Sequence, residues 1–365
     1  KFDYPFYEFL WSVDAAATRR FVEAFWAAHV LDWSQLDFNR HGEWGPDTAG
    51  VWERDYTGGD VFFWGDGLTF VNTGSDLYYA AGLLSALDGD DAPRAWATHL
   101  AERYVETRGE TGLSGYQFSQ HPSWCNGPEI RGDRAQYQFA PYIPGDHDIF
   151  EGTLFRPRPV VQRRQLELGE KLDAPQFTAW AVEELRAWER AYRPDANDFE
   201  PMLTDGYSLD GFVIRREGYF GPKGRVIGPI EADAGFLWTY ALAARQSGDE
   251  TCEEMCAHLA AGLGLEDDDG TPRADHDCAD YRAVHAALER HRATGNEGHL
   301  DTARRVGENI LDERFDGTAF VAEDGVASLG DPVPLALLHL AAALAGDDRE
   351  SLPTQTSGES PAGGV

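Results

Sequence analysis

The chain has 365 residues, 42% of them hydrophobic and 12% aromatic, enough to bury a large core in one big domain or two smaller ones. Its 31 Lys and Arg stand against 63 Asp and Glu, a formal charge of -32. No basic patch stands out, which argues against nucleic-acid binding, and no apolar run reaches the roughly eighteen residues of a membrane span.

Lysine occurs only as Lys1, Lys171 and Lys223. Acidic surplus with lysine depletion predicts a surface adapted to high salt, where self-repulsion is screened within about 3 Å at 1 M. Cys125, Cys252, Cys256 and Cys278 are irregularly spaced, so neither a disulfide framework nor a zinc ribbon is indicated. Cys252 and Cys256 fall four apart on a predicted helix and read as buried thiols. This usage predicts a soluble protein of a reducing compartment, hence cytoplasmic. The first residue is Lys1, and the chain enters at once an aromatic segment with no charged n-region or apolar h-region. It reads as an internal fragment or a truncated frame.

In chain order, helical periodicity begins at Asp14, a plausible N-cap, with Phe21, Phe25, Ala28 and Asp32 along one side. Pro46 to Gly67 reads as loop with short strands. Gly74 to Leu87 and Pro93 to Thr107 form a helix pair across the turn Asp88-Gly89-Asp90-Asp91. Thr111 to Pro159 is a long irregular insertion. Helices resume over Val160 to Leu172 and Gln176 to Tyr192, followed by a Gly-rich, β-prone stretch from Asp198 to Pro229. Further helices fit Asp233 to Ser247, Glu250 to Leu263, Asp280 to Thr294, Leu300 to Asp312 and Pro334 to Ala345. Successive helix pairs with long periodic loops predict an all-α fold, stacked hairpins closing into an α/α toroid, with short β-strands in the loops. The domain is expected over residues 1–346, with a disordered polar tail over 347–365.

The stretch Leu36-Asp37-Phe38-Asn39-Arg40-His41-Gly42 places an Arg and a His side by side where the apolar pattern breaks. The insertion is dense in aromatics, amides and arginines, among them Tyr116, Gln117, Arg131 and Arg134. A second cluster holds Arg216, Tyr219 and Lys223. Aromatic faces cover sugar rings and guanidinium forks bind carboxylates, so these residues suit an acidic saccharide. A loop pinned by its own Arg-Asp pairs would look the same. No P-loop, Gly-x-Ser-x-Gly or His-Glu-x-x-His is present. His121, His147, His276 and His285 have no ligand spacing and read as loop or core histidines.

Several motifs together carry a resemblance: Tyr4-Pro5-Phe6-Tyr7, Ala24-Phe25-Trp26-Ala27-Ala28-His29, Phe38-Asn39-Arg40-His41-Gly42, Gly132-Asp133-Arg134-Ala135-Gln136, Pro201-Met202-Leu203-Thr204-Asp205-Gly206 and Arg216-Glu217-Gly218-Tyr219-Phe220-Gly221. Over about Phe2 to Ala345 the chain resembles family 2 pectate lyases, which cleave polygalacturonate. The resemblance implies an incomplete (α/α)7-type toroid lacking its N-terminal helices. It also implies Arg40 as the Brønsted base of a β-elimination. His41 would ligate a divalent transition metal, with Mn, Co or Ni expected. The family's other two ligands, a His and a Glu, lie upstream of these residues. The expected partner is galacturonan, with no nucleic acid or membrane. Two alternatives remain open: an inactive oligouronate-binding remnant, and another toroid hydrolase or epimerase working through Asp and Glu pairs.

Overall fold

The computed structural model describes residues 10–26, 51–52, 68–105, 108, 111–113, 117–118, 155, 157–203, 206–213, 222–267, 270–273, 275–321, 325–327, 331–347 and 352–353. Two compact units divide the chain, one of Trp11–Ala191, Glu200–Ile230 and Pro361–Val365, the other of Lys1–Leu10, Tyr192–Phe199 and Glu231–Ser360.

In the first unit the elements are α1 (Ala15–Trp26), β1 (Val51–Trp52), β2 (Leu68–Phe70), α2 (Val71–Asp88), α3 (Asp91–Val105), β3 (Gln117–Phe118), α4 (Pro159–Lys171) and α5 (Pro175–Trp188). Asp14 caps α1 as expected, its Oδ1 accepting from the Ala17 N–H at 2.9 Å. α4 and α5 instead open on proline at the first turn, where the missing N–H is no loss. The short strands form one antiparallel sheet in the order β1, β2, β3. α2 pairs with α3 and α4 with α5 as hairpins, and α2 also packs on α4. α2 and α4 approach closely where Gly82 lies against Leu168, and α4 and α5 where Gly169 lies against Thr178. The base of the unit is aromatic: Phe155 meets Trp188 edge to face at 6.4 Å, both fully buried.

The second unit holds β4 (Tyr192–Arg193), β5 (Asp198–Phe199), α6 (Ala234–Ser247), α7 (Glu250–Gly262), α8 (Tyr281–Thr294), α9 (Glu297–Arg314) and α10 (Val333–Ala345). Four of its helices start on a side-chain cap: Asp233, Asp249, Asp280 and Asn296 each accept a first-turn N–H. Gly248, Gly295 and Gly346 follow α6, α8 and α10 in the left-handed region, where a Cβ would be strained. The hairpins are α6 with α7 and α8 with α9, while α6 packs on α8 and α8 on α10. Every second helix is thus a neighbour. This two-row array of helical pairs is the all-α class that the periodicity predicts, and the strands are short as expected.

Two boundaries differ from expectation. The helix expected to reach Tyr192 ends at Trp188, because Tyr192 pairs with Phe199 in a short hairpin and its hydroxyl donates to Asn197 Oδ1 at 2.9 Å. α9 begins three residues before Leu300, where Asn296 supplies the cap. The segments from Ala28 to Gly42 and from Arg131 to Gln138, and most of the polar tail, lie outside the described residues.

Candidate functional site

Arg40, His41, Tyr116, Arg131, Arg134, Arg216 and Tyr219 lie outside the described residues. Gln117 is in β3, its backbone opposite Phe70. Lys223 sits exposed on the turn closed by Arg225 N–H donating to Pro222 O, with Gly224 at φ +90 beside it. Of the expected residues, only Gln117 and Lys223 fall among the described ones.

A different polar group stands in the core of the first unit. Helix α4 is buried on all sides from Val160 to Gly169, yet its middle reads Gln162-Arg163-Arg164-Gln165. Arg163 is 1% exposed and Arg164 2%, and Gln162 and Gln165 are wholly enclosed. The effective penalty for taking an ion out of water is several kcal/mol, so such guanidinium groups need anionic and hydrogen-bonding company. α2 provides some of it. The Arg164 guanidinium carbon lies 5.7 Å from the centroid of the Tyr79 ring, over its face. The Tyr79 hydroxyl donates to the Glu167 carboxylate, one turn along α4, and the Tyr78 hydroxyl donates to Val161 O at 3.3 Å. Both side-chain amide atoms of Gln165 are buried without a hydrogen-bond partner among the described residues. Chemically, this is a buried, water-poor cluster of guanidinium, amide, phenol and carboxylate groups.

Sequence reasoning passed over α4 because polar residues in a helix are read as its wet face. One signal was available: Arg156, Arg158, Arg163 and Arg164 form a dense cationic run in a chain with twice as many acids as bases.

The second unit contains a separate buried cluster. Glu266 accepts from the Arg290 guanidinium and lies 3.4 Å from His299 Nδ1, while its second oxygen is buried without a partner among the described residues. Burial lifts the Glu266 carboxyl above its ordinary range, with Arg290 opposing, and burial pushes His299 down to about 4, aided by Arg290 and His291. His276 and His285 are core histidines as expected, the latter stacked on Trp238 at 4.4 Å. Among the described residues no group of three or more His, Cys, Asp or Glu is placed to hold a metal ion.

Residues 1–364 match the family model described as periplasmic pectate lyase. The chain belongs to that family. The resemblance drawn from the motifs is thereby established. The chain is also similar to the pectate disaccharide-lyase of Dickeya dadantii (strain 3937), with 31% identity over 377 residues, which is 93% of this chain and 65% of that protein. It thus spans somewhat less than two thirds of that relative. Among solved structures it is similar to a sugar epimerase from a ruminal bacterium, with TM-score 0.47 and 14% identity over 95% of this chain and 86% of that one. It is also similar to the cellobiose 2-epimerase of Bacillus thermoamylovorans B4167, with TM-score 0.46 and 12% identity over 85% and 80% of the two chains. Scores at this level carry no argument about function.

The family description corrects one expectation. A periplasmic pectate lyase family points to the periplasm and not to a cytoplasmic, reducing compartment. The cysteines misled because Cys252 and Cys256 are free but buried in α7, so their lack of a disulfide follows from shielding and says nothing of the compartment.

Proposed function

We propose that the chain is a galacturonan lyase that breaks the glycosidic bond by β-elimination. The observation that carries this reading is the match of residues 1–364 to the periplasmic pectate lyase model, and the similar Dickeya protein is named a pectate disaccharide-lyase. In the elimination, a base takes the C5 proton, α to the uronate carboxylate. The electron pair becomes the C4–C5 double bond as the C4–O bond breaks, and the departing oxygen takes up a proton. Arg40 is the proposed base. A guanidine is neutral only above about pH 12 in water, so Arg40 would need cations close by to lose its proton.

His41 is proposed as this chain's metal ligand. A divalent transition ion bound there would neutralise the substrate carboxylate and stabilise charge developing toward it. Tyr116, Gln117, Arg131, Arg134, Arg216, Tyr219 and Lys223 are proposed substrate contacts, chosen for residue chemistry and position. The charge of -32 repels a polyanion in dilute buffer, so turnover is expected to rise with salt.

The test is the ultraviolet absorbance of unsaturated product from polygalacturonate in high salt, with and without Mn²⁺. Arg40→Gln is expected to lower turnover by about 10²- to 10⁴-fold while galacturonate oligomers still bind. Normal turnover in that variant removes Arg40 as base. Release of reducing ends without absorbance would show a hydrolase and overturn the lyase reading.

A further inference from the structure

We propose that the outer face of α10 is a docking surface for a second copy of this chain, the two α10 helices packing antiparallel about a twofold axis at Ala341. The inference is independent of the lyase reading and rests on the second unit alone.

The inner side of α10 is already committed. Leu337 and Leu340 close on Gly307 of α9, and the His339 ring meets the His285 ring of α8 at 5.2 Å. The opposite side carries Leu338, Ala341 and Leu344, all exposed, the two leucines at 55% and 47%. Residues three apart form one ridge on a helix, here leucine, alanine, leucine. In the array α6 carries α7 and α8 carries α9 as hairpin partners, but among the described residues no helix follows α10. The ridge therefore lies open to a further antiparallel helix.

Charge selects the occupant. Among the described helices α10 alone contains no Asp, Glu, Lys or Arg, and none occurs from Val333 to Gly346. With a net charge of -32, the chain draws a basic partner to its acidic faces and repels its own copy from them. A like-charged copy makes contact where charge is missing, and α10 supplies that face. The ridge is also self-complementary. Turned about Ala341, Leu338 of one copy meets Leu344 of the other, and the facing alanines let the two backbones approach. With 13 residues, α10 is about 20 Å long. A contact so short stays below the roughly 1,200 Å² of stable interfaces, so the dissociation constant is expected on the order of 10 μM. Association tightens with salt, which screens the repulsion between copies.

Sedimentation of the intact chain is measured up to about 100 μM, in about 0.1 M and about 2 M NaCl. The mass is expected to rise with concentration toward that of a dimer, and further in the higher salt. Leu338→Glu and Leu344→Glu each place a charge in the contact. Each is expected to weaken dimerisation about tenfold or more, with the thermal midpoint of the dilute protein little changed because both side chains are exposed. A chain that stays monomeric at every concentration in both salts overturns the proposal, and so does a dimer equally tight in both variants. A wild-type monomer whose glutamate variants lose thermal stability would place the face within the chain's own fold, and also overturns it. Should the glutamates disturb the helix, Ala341→Cys tests the axis directly. Oxidation with diamide in high salt is expected to link two copies through that position, beyond any linkage in the wild type. Linkage no greater than wild type overturns the twofold pairing.

Discussion

Replacing Arg290 by Met removes the cation that faces Glu266 inside the second unit. The side chain of Glu266 is 2% exposed, and one of its oxygens already lacks a partner among the described residues. The remaining neighbour, His299 at 3.4 Å, has its pKa pushed down to about 4 and is neutral at pH 7. The variant therefore leaves an uncompensated buried carboxylate, and the expected loss is about 3–5 kcal/mol at pH 7. The dependence on pH has a definite sign. Burial raises the Glu266 carboxyl against the lowering by Arg290, so in the variant it rises further. A carboxyl raised in the folded state contributes stability that is complete below its unfolded pKa and is lost as pH climbs through the folded value. His299 acts in the same direction. Its depressed pKa costs the wild type stability as pH falls from about 6.5 toward 4, and removing Arg290 relieves part of that depression. Urea unfolding at pH 7 and pH 5, followed by tryptophan fluorescence, measures the deficit, which is expected to shrink at pH 5. Adding Glu266→Gln is expected to recover much of the loss. A deficit below about 1 kcal/mol at pH 7, or one that grows on acidification, refutes the buried-pair account.

Two further outcomes test the packing and the thiols. Gly82→Ala places a Cβ 2.8 Å from Leu168 Cδ1 and nearer still to Cδ2, in a wholly buried contact between α2 and α4. It is expected to cost about 1–3 kcal/mol in urea unfolding, and a neutral result would mean the two helices part without strain. The Cys256 thiol is pushed up to about 12, chiefly by burial, so its thiolate fraction at pH 8 is on the order of 10⁻⁴. Peptide mass spectrometry after iodoacetamide treatment of the native protein should find Cys256 unmodified while the half-buried Cys278 reacts first; equal rates would contradict the buried assignment.

Helix ends were the most legible feature of the chain, because their chemistry is local. Asp14, Asp233, Asp249 and Asp280 cap the helices that follow them, and Gly248 and Gly295 end theirs, all readable from the residue types. Tyr192 was less legible. It continues the apolar rhythm of α5, but its pairing with Phe199 and its ring contact with Phe199 at 5.4 Å are nonlocal and draw it into a strand. α10 shows the limit of composition. It is apolar except for His339, yet only Val333, Ala336 and Leu340 are buried, and Leu338 and Leu344 face outward. The converse failure is α4, where arginine and glutamine occupy the core. A rule that sends charge to the surface cannot find a core built by breaking that rule. The family was readable because its motifs are spread along most of the chain, whereas the roles of Arg40 and His41 came from the resemblance alone.

Arg282 joins the starts of two helices. Its Nη1 donates to Asp233 Oδ2 at 2.6 Å, and its Nε and Nη2 donate to Asp280, the caps of α6 and α8 respectively. Each cap also holds a first-turn N–H of its own helix, Gly235 for α6 and Arg282 itself for α8. Fraying of either helix therefore strains the contact that steadies the other. In hydrogen exchange the first turns of α6 and α8 would behave as one opening unit although Asp233 and Asp280 are far apart in sequence. A half-buried arginine here sets which parts of the fold loosen together, a property that neither helix has by itself.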